Sequence, residues 1–109
     1  MTFTLPPPLA AMVTAHNAHD ITAFTACFTE DAVVRDEGCI YVGPPAIRDW
    51  FAGVSRQYCM TIQVTDLTTQ DGEPVLHGKV SGAFDSSPIN MRYYLALEDG
   101  KIVALKIVA

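Results

Sequence analysis

From Met60 onward the sequence alternates apolar and polar residues with a period of two, and that stretch is punctuated by turn-forming residues. Asp71-Gly72, Asp85-Ser86-Ser87-Pro88 and Asp99-Gly100 divide it into four segments. Asp-Gly pairs between alternating segments are the strongest short-range signal for β-hairpins, because both residues of a type I′ turn need positive φ. The spacing predicts strands over 61–69, 75–84, 89–98 and 101–108, joined in succession as an antiparallel meander. Such a sheet cannot stand alone in water. One face must be covered, and only the first 59 residues can cover it.

Those residues carry helical periodicity. Pro6-Pro7-Pro8 opens a helix whose apolar face is Leu9, Met12, Val13 and His16, running to about Ala18. Asp20 reads as the N-cap of a second short helix with Ile21, Phe24, Cys27 and Phe28 as its stripe. A short strand over 32–36 stops at Glu37-Gly38, and a second extended piece covers 39–42. Gly43-Pro44-Pro45 then starts a third helix bearing Ile47, Trp50, Phe51 and Val54 and ending near Tyr58.

Strand phase sorts the meander into two faces. Leu76, Gly78, Val80, Gly82 and Phe84 share the core side with Ile89, Met91, Tyr93, Leu95 and Leu97, and with Val103, Leu105 and Ile107. Gly78 and Gly82 remove side chains where the sheet bends. The other face mixes His77, Lys79, Arg92, Tyr94 and Lys106 with Val75, Ala96, Ile102 and Val108. It is apolar enough, and rich enough in tyrosine and arginine, to predict a homodimer through the sheet.

Composition narrows the function. Half of the 109 residues are apolar and only 17% are charged, below the roughly 25% usual for soluble domains. The surplus apolar surface calls for a partner subunit or an internal ligand cavity. The length allows one domain, spanning 1–109. The net charge is −5 and the seven basic residues are scattered, so nucleic acid is not an expected partner. The N-terminal MTFTLPPPLAAMV lacks a basic segment and its apolar run is broken by prolines, so neither a signal peptide nor a membrane span is expected and the protein reads as cytoplasmic. Three cysteines with no CxxC spacing read as reduced thiols, and no metal or cofactor is expected.

The segments NAHDITAFTACFTEDAVVRDEG, VGPPAIRDWF and VSGAFDSSPINMRYYLALEDGKIVAL, in that order, resemble the SnoaL-like and ketosteroid-isomerase-like branch of the nuclear transport factor 2 superfamily. The specific pieces are N-x-x-D at Asn17 to Asp20, F-x-x-D-A-V at Phe28 to Val33, G-x-x-A-I-R at Gly43 to Arg48, and D-G-K-I at Asp99 to Ile102. The resemblance implies an α+β fold: a cystatin-like cone, or α+β barrel, with three N-terminal helices packed on a curved antiparallel sheet. It also implies a pocket between them and frequent dimerisation. The family includes isomerases, polyketide cyclases, dehydratases and epoxide hydrolases, as well as members that only bind, so the fold does not settle the activity.

In the ketosteroid-isomerase pattern an aspartate at the end of the first strand is the general base, and Asp36 falls at that position. The alternative role for Asp36 is to form the turn at Glu37-Gly38. The pattern's helix-1 tyrosine is replaced by Met12 and its strand carboxyl by Tyr93, so the resemblance implies proton transfer on an apolar carbonyl-type ligand rather than steroid isomerisation proper. Tyr93 is either the donor to a developing oxyanion or a wall aromatic. His16, one turn after Met12, is an acid, base or donor in the pocket, or a helix-end histidine at the core edge. Met12, Phe24, Trp50, Phe84, Met91 and Leu95 are the expected pocket walls. A non-catalytic binding or dimerisation module is the competing function.

Overall fold

A computed structural model describes residues 4–109. The first three residues, part of the segment read above as lacking a signal peptide, lie outside the described residues. Among the described residues no helix is long and apolar enough to cross a membrane.

The elements follow the expected order. They are α1 (Pro7–Ala18), α2 (Ile21–Thr25), β1 (Phe28–Asp36), β2 (Cys39–Val42), α3 (Gly43–Tyr58), β3 (Thr61–Gln70), β4 (Glu73–Ser81), β5 (Ile89–Glu98) and β6 (Lys101–Val108). Six strands form one sheet in the order β2-β1-β6-β5-β4-β3. The helices bring Leu9, Met12, Phe24, Ile47 and Phe51 onto sheet residues such as Val34, Leu76 and Leu105, and these make one continuous buried core.

Local chemistry accounts for the turns and caps. Glu37-Gly38, Asp71-Gly72 and Asp99-Gly100 all have positive φ at both residues, and each is a two-residue loop between paired strand ends (Asp36 with Cys39, Gln70 with Glu73, Glu98 with Lys101). This is the type I′ geometry whose twist matches the strands. Asp20 caps α2, its Oδ1 accepting from Ala23 N at 3.1 Å. Pro7 and Pro8 occupy the first turn of α1, where a missing N–H costs nothing.

Four expectations are corrected. The sheet is mixed rather than wholly antiparallel, because β1 runs parallel to β6, with Val33 opposite Ala104 and Asp36 opposite Ile107. Side-chain alternation is the same in either direction, so sequence pattern is blind to this. Phe28 opens β1 instead of closing α2: the helix stops at Thr25, and Cys27 O accepts from Ile102 N at 2.9 Å, which draws the chain into the sheet. Phe28 still contacts Phe24, with ring centroids 5.3 Å apart, so the i, i+4 pattern reported a real contact on the wrong element.

The third correction is at β6. Ile102, assigned to the outer face, is fully buried because the register shifts between the Ala96–Ala104 and Leu97–Ile102 pairs, leaving Val103 as the extra residue of a bulge. The fourth is at β4, which ends at Ser81. Ala83 N leaves the ladder to donate to Tyr58 O at 2.7 Å, and Phe84 enters the core from a loop. Gly78 serves close approach: a Cβ there would stand 2.6 Å from the Ile62 side chain, and the bulge between Val64 and Asp66 lies opposite it.

Asn17 ties the helical layer to the sheet. Its Oδ1 accepts from Ile62 N at 2.7 Å and its Nδ2 donates to Ile62 O at 3.0 Å. The side-chain amide thus occupies one position of the free edge of β3, an edge that otherwise offers unpaired backbone groups. Asn17→Ala is expected to lower unfolding free energy by about 1–3 kcal/mol, since two backbone groups lose their partner. Asn17→Asp, which sets a carboxylate oxygen against Ile62 O, is expected to be destabilised at least as much as Asn17→Ala; chemical denaturation of the three proteins checks the order.

Candidate active site

A cavity of about 520 Å³ lies between the helices and the inner sheet face, within the range of small-molecule sites. Met12, Phe24, Trp50, Phe84 and Met91, five of the expected wall residues, line it. Leu95 does not: it packs in the core at 3% exposure. Shared strand phase fixes the face of the sheet but not the position along it, and Leu95 lies roughly 7 Å further along β5 than Tyr93. Val54, Tyr58 and Ser86, which were not expected, also line the cavity.

Asp36, Tyr93 and His16 all open onto this one cavity. Asp36 shares the inward face of β1 with the fully buried Val34. The β1–β6 pairing sets it opposite Ile107, and the β6–β5 pairing sets Ile107 opposite Tyr93. Asp36 and Tyr93 therefore stand in one row, two strands apart, with backbones on the order of 10 Å from each other. Their side chains face the same space above Ile107.

The Asp36 carboxylate is held from across the cavity, where Trp50 Nε1 donates to its Oδ2 at 3.2 Å. An indole N–H in a half-buried setting needs an acceptor, and α3 delivers it to the end of β1. Asp36 is half-buried, and burial raises its pKa above the ordinary value; the Trp50 hydrogen bond opposes that rise and the neighbouring Glu37 charge adds to it. Tyr93 is 4% exposed. Burial, helped by the negative charge of Asp36, pushes its phenol upward, so Tyr93 keeps its proton as a hydrogen-bond donor.

His16 is buried beside two aromatic rings, 6.3 Å from Phe24 and 5.5 Å from Phe51. Those two phenylalanines stack at 3.8 Å with planes 8° apart. Burial lowers the His16 pKa to about 4, and nearby His19 adds to the shift. The imidazole is neutral near pH 7. Among the described residues, the buried His16 Nδ1 has no hydrogen-bond partner. His19, at i+3, turns away in a left-handed C-cap, and its Nε2 lies 2.9 Å from Met60 O. Among the described residues no cluster of three or more His, Cys, Asp or Glu side chains is placed to hold a metal.

The Trp50–Asp36 bond was not read from the sequence, where Trp50 counts only as an apolar wall. The signal available was chemical: a tryptophan beside a pocket whose rim carries an unpaired aspartate. Cys39 and Cys59 are exposed, and Cys27 is half-buried.

This architecture defines an α+β domain of the cystatin-like type with a small-molecule-sized cavity between helices and sheet. The chain belongs to the SnoaL-like domain family, whose model matches residues 9–105. A solved protein from Sinorhizobium meliloti, provisionally described as a polyketide cyclase, is 30% identical with a TM-score of 0.90, and 95% of each chain is covered. A ketosteroid isomerase-like protein from Catenulispora acidiphila, solved with trimethylamine, is 17% identical with a TM-score of 0.84, covering 97% of this chain and 87% of the other. A cystatin-fold protein from Novosphingobium aromaticivorans is 16% identical at a TM-score of 0.80, covering 99% and 100%. No curated protein matches the sequence.

The buried neutral histidine gives stability a definite pH dependence. With the folded pKa near 4 and the unfolded value near 6.5, the unfolded chain takes up the proton first as pH falls. Stability is then lost between about pH 6.5 and 4, on the order of 3 kcal/mol across the window. The raised Asp36 pKa acts in the opposite sense at its own titration. Urea denaturation at pH 7, 5.5 and 4 is expected to show the loss in the wild type and a much flatter profile in His16→Phe.

Proposed function

We propose that this protein is an enzyme that moves a proton on an apolar carbonyl compound, as an isomerase, cyclase or dehydratase, with Asp36 as general base. In this reading the helices close a cone over the concave sheet, and the cavity is its interior. The observation that carries the proposal is that Asp36 and Tyr93 occupy one row of the inner sheet face and open onto the same apolar cavity.

The chemistry follows from those two groups. Asp36 removes a proton from the carbon next to the ligand's carbonyl. The electron pair left by the C–H bond moves to the carbonyl oxygen, and the Tyr93 O–H donates a hydrogen bond to the enolate oxygen that forms. The protonated Asp36 then returns its proton at the same or another carbon. A carboxylate shifted upward by burial is better matched to taking and returning a proton near neutrality than an ordinary one. Trp50 holds the carboxylate in place through Oδ2, leaving Oδ1 to meet the substrate. The 30% identical Sinorhizobium meliloti protein, described provisionally as a polyketide cyclase, supports this class. TerC, which was crystallised with polyporic acid, supports a planar ring system as occupant, at 14% identity and a TM-score of 0.79 over 93% of this chain and 87% of the other.

Association of two copies through the outer sheet face belongs to the same proposal. Val42, Val33, Ala104 and Ala96 form a continuous apolar row across β2, β1, β6 and β5. Val42 is 62% exposed and Ile40, on the same face, is 59% exposed. Sedimentation velocity is expected to give a dimer for the wild type and a monomer for Val42→Glu; a wild-type monomer at tens of micromolar overturns this part.

The activity is tested by the exchange of the α-hydrogens of 2-tetralone, an enolisable bicyclic ketone, followed by proton NMR in D₂O. The wild type is expected to accelerate exchange over buffer, and Asp36→Asn to lose on the order of 10²–10⁴-fold of that acceleration. Tyr93→Phe is expected to lose roughly tenfold or more. Equal rates in wild type and Asp36→Asn would remove Asp36 from the chemistry, and saturable binding without exchange would identify a binding module.

A further inference from the structure

The proposed base and donor account for one polar end of the cavity and leave His16 without a role. Its imidazole is 7% exposed, lines the cavity from α1 and is packed by the Phe24–Phe51 pair. Among the described residues its Nδ1 has no partner. A polar nitrogen left this way in a protein core costs free energy that an apolar residue of the same shape would not. Phenylalanine would continue the aromatic cluster at that position. A polar ring in an aromatic wall is explained if a ligand supplies the missing partner.

We infer that His16 is a specificity-determining residue, recognising a second oxygen function of the ligand, a neutral hydroxyl or carbonyl remote from the carbon that reacts at Asp36. This deepens the proposed reading of the pocket and rests on it. The ligand class follows from the walls. Stacked and tilted aromatic rings favour a flat ring system, and the polar groups on the one cavity, Asp36 with Tyr93 and His16, call for an oxygen facing each. The group facing His16 is uncharged. A neutral imidazole offers one N–H and one lone pair and no charge to hold a carboxylate, and the Asp36 carboxylate on the same cavity disfavours an anion. A half-turn of the ring about its Cβ–Cγ bond exchanges Nδ1 with Cδ2 while leaving the ring plane in place, so the ring can present a nitrogen on either side with its plane unchanged against Phe51.

The test compares 2-tetralone with 6-hydroxy-2-tetralone, which adds one hydroxyl at the far ring. Calorimetric titration of the wild type is expected to favour the hydroxylated ketone by about tenfold, the value of one hydrogen bond to an otherwise unpaired buried group. His16→Phe is expected to bind both ketones with similar affinity and to be at least as stable to urea at pH 7 as the wild type. A purely packing role for His16 would leave the preference intact in His16→Phe and overturns the inference, as does a wild type that does not distinguish the two ketones. Should His16→Phe not fold, long-range ¹H–¹⁵N spectra of the wild type decide. The His16 ring nitrogens are expected to shift with 6-hydroxy-2-tetralone and hardly at all with 2-tetralone, and equal shifts overturn the inference.

Asp36→Asn separates the two readings. It is expected to keep the hydroxyl preference while losing exchange. Wild-type exchange that survives in Asp36→Asn, with the preference intact, defeats the base and leaves His16 assigned. Exchange lost in Asp36→Asn, with no preference in the wild type, does the reverse. No saturable binding of either ketone overturns the pocket reading and the His16 assignment together.

Discussion

The pairing of β1 with β6 holds the molecule's two halves in one sheet, and the pocket depends on it. The β1–β2 hairpin and the β3–β6 meander each pair strands that are neighbours in sequence, through two-residue turns at Glu37-Gly38, Asp71-Gly72 and Asp99-Gly100 and a longer loop between β4 and β5. The parallel ladder, with Phe28 beside Ile102 and Val33 to Asp36 against Ala104 to Ile107, joins them. That ladder places Asp36 in the same row as Tyr93, and it turns the inner face of β1 toward α3, from which Trp50 reaches the carboxylate. Moving the register by one residue would invert every β1 side chain and put Asp36 on the outer face.

The cavity sets polar groups into apolar surroundings, and each one is treated differently. Asp36 retains partial exposure and one strong donor, so its charge is tolerated while its proton affinity rises. Tyr93 is buried and stays protonated. His16 is buried, neutral and short of a partner. A core optimised for stability alone would replace all three with apolar residues at little loss. Their common opening onto one cavity is the observation on which the proposed function rests.

The outer face shows the same tension on a larger scale. The row from Val42 to Ala96 is apolar, and Arg35, Arg92 and Lys106 around it keep the face compatible with water. Arg92 is engaged with its neighbour: its Nη1 donates to the Tyr94 hydroxyl at 2.9 Å. Inner and outer faces of one sheet thus differ in character, separated by nothing more than the alternation of the strands.

By itself the sequence determined the element order, the three tight turns, the Asp20 cap, and, Ile102 apart, which side of each long strand faces the core, because these depend on φ preferences and period-two or period-3.6 spacing within a few residues. It also singled out Asp36, Tyr93 and His16, which the fold brings to one cavity. Tertiary structure alone decided the rest. The parallel direction of β1 against β6, the bulge that buried Ile102, the departure of Phe84 from β4 and the position of Leu95 outside the cavity all come from contacts between distant segments. The Trp50–Asp36 hydrogen bond spans a helix and a strand end, and the missing partner of His16 Nδ1 is a property of everything packed around it. Spacing along a chain reports which way a side chain points; what it meets there is decided by residues that no local pattern contains.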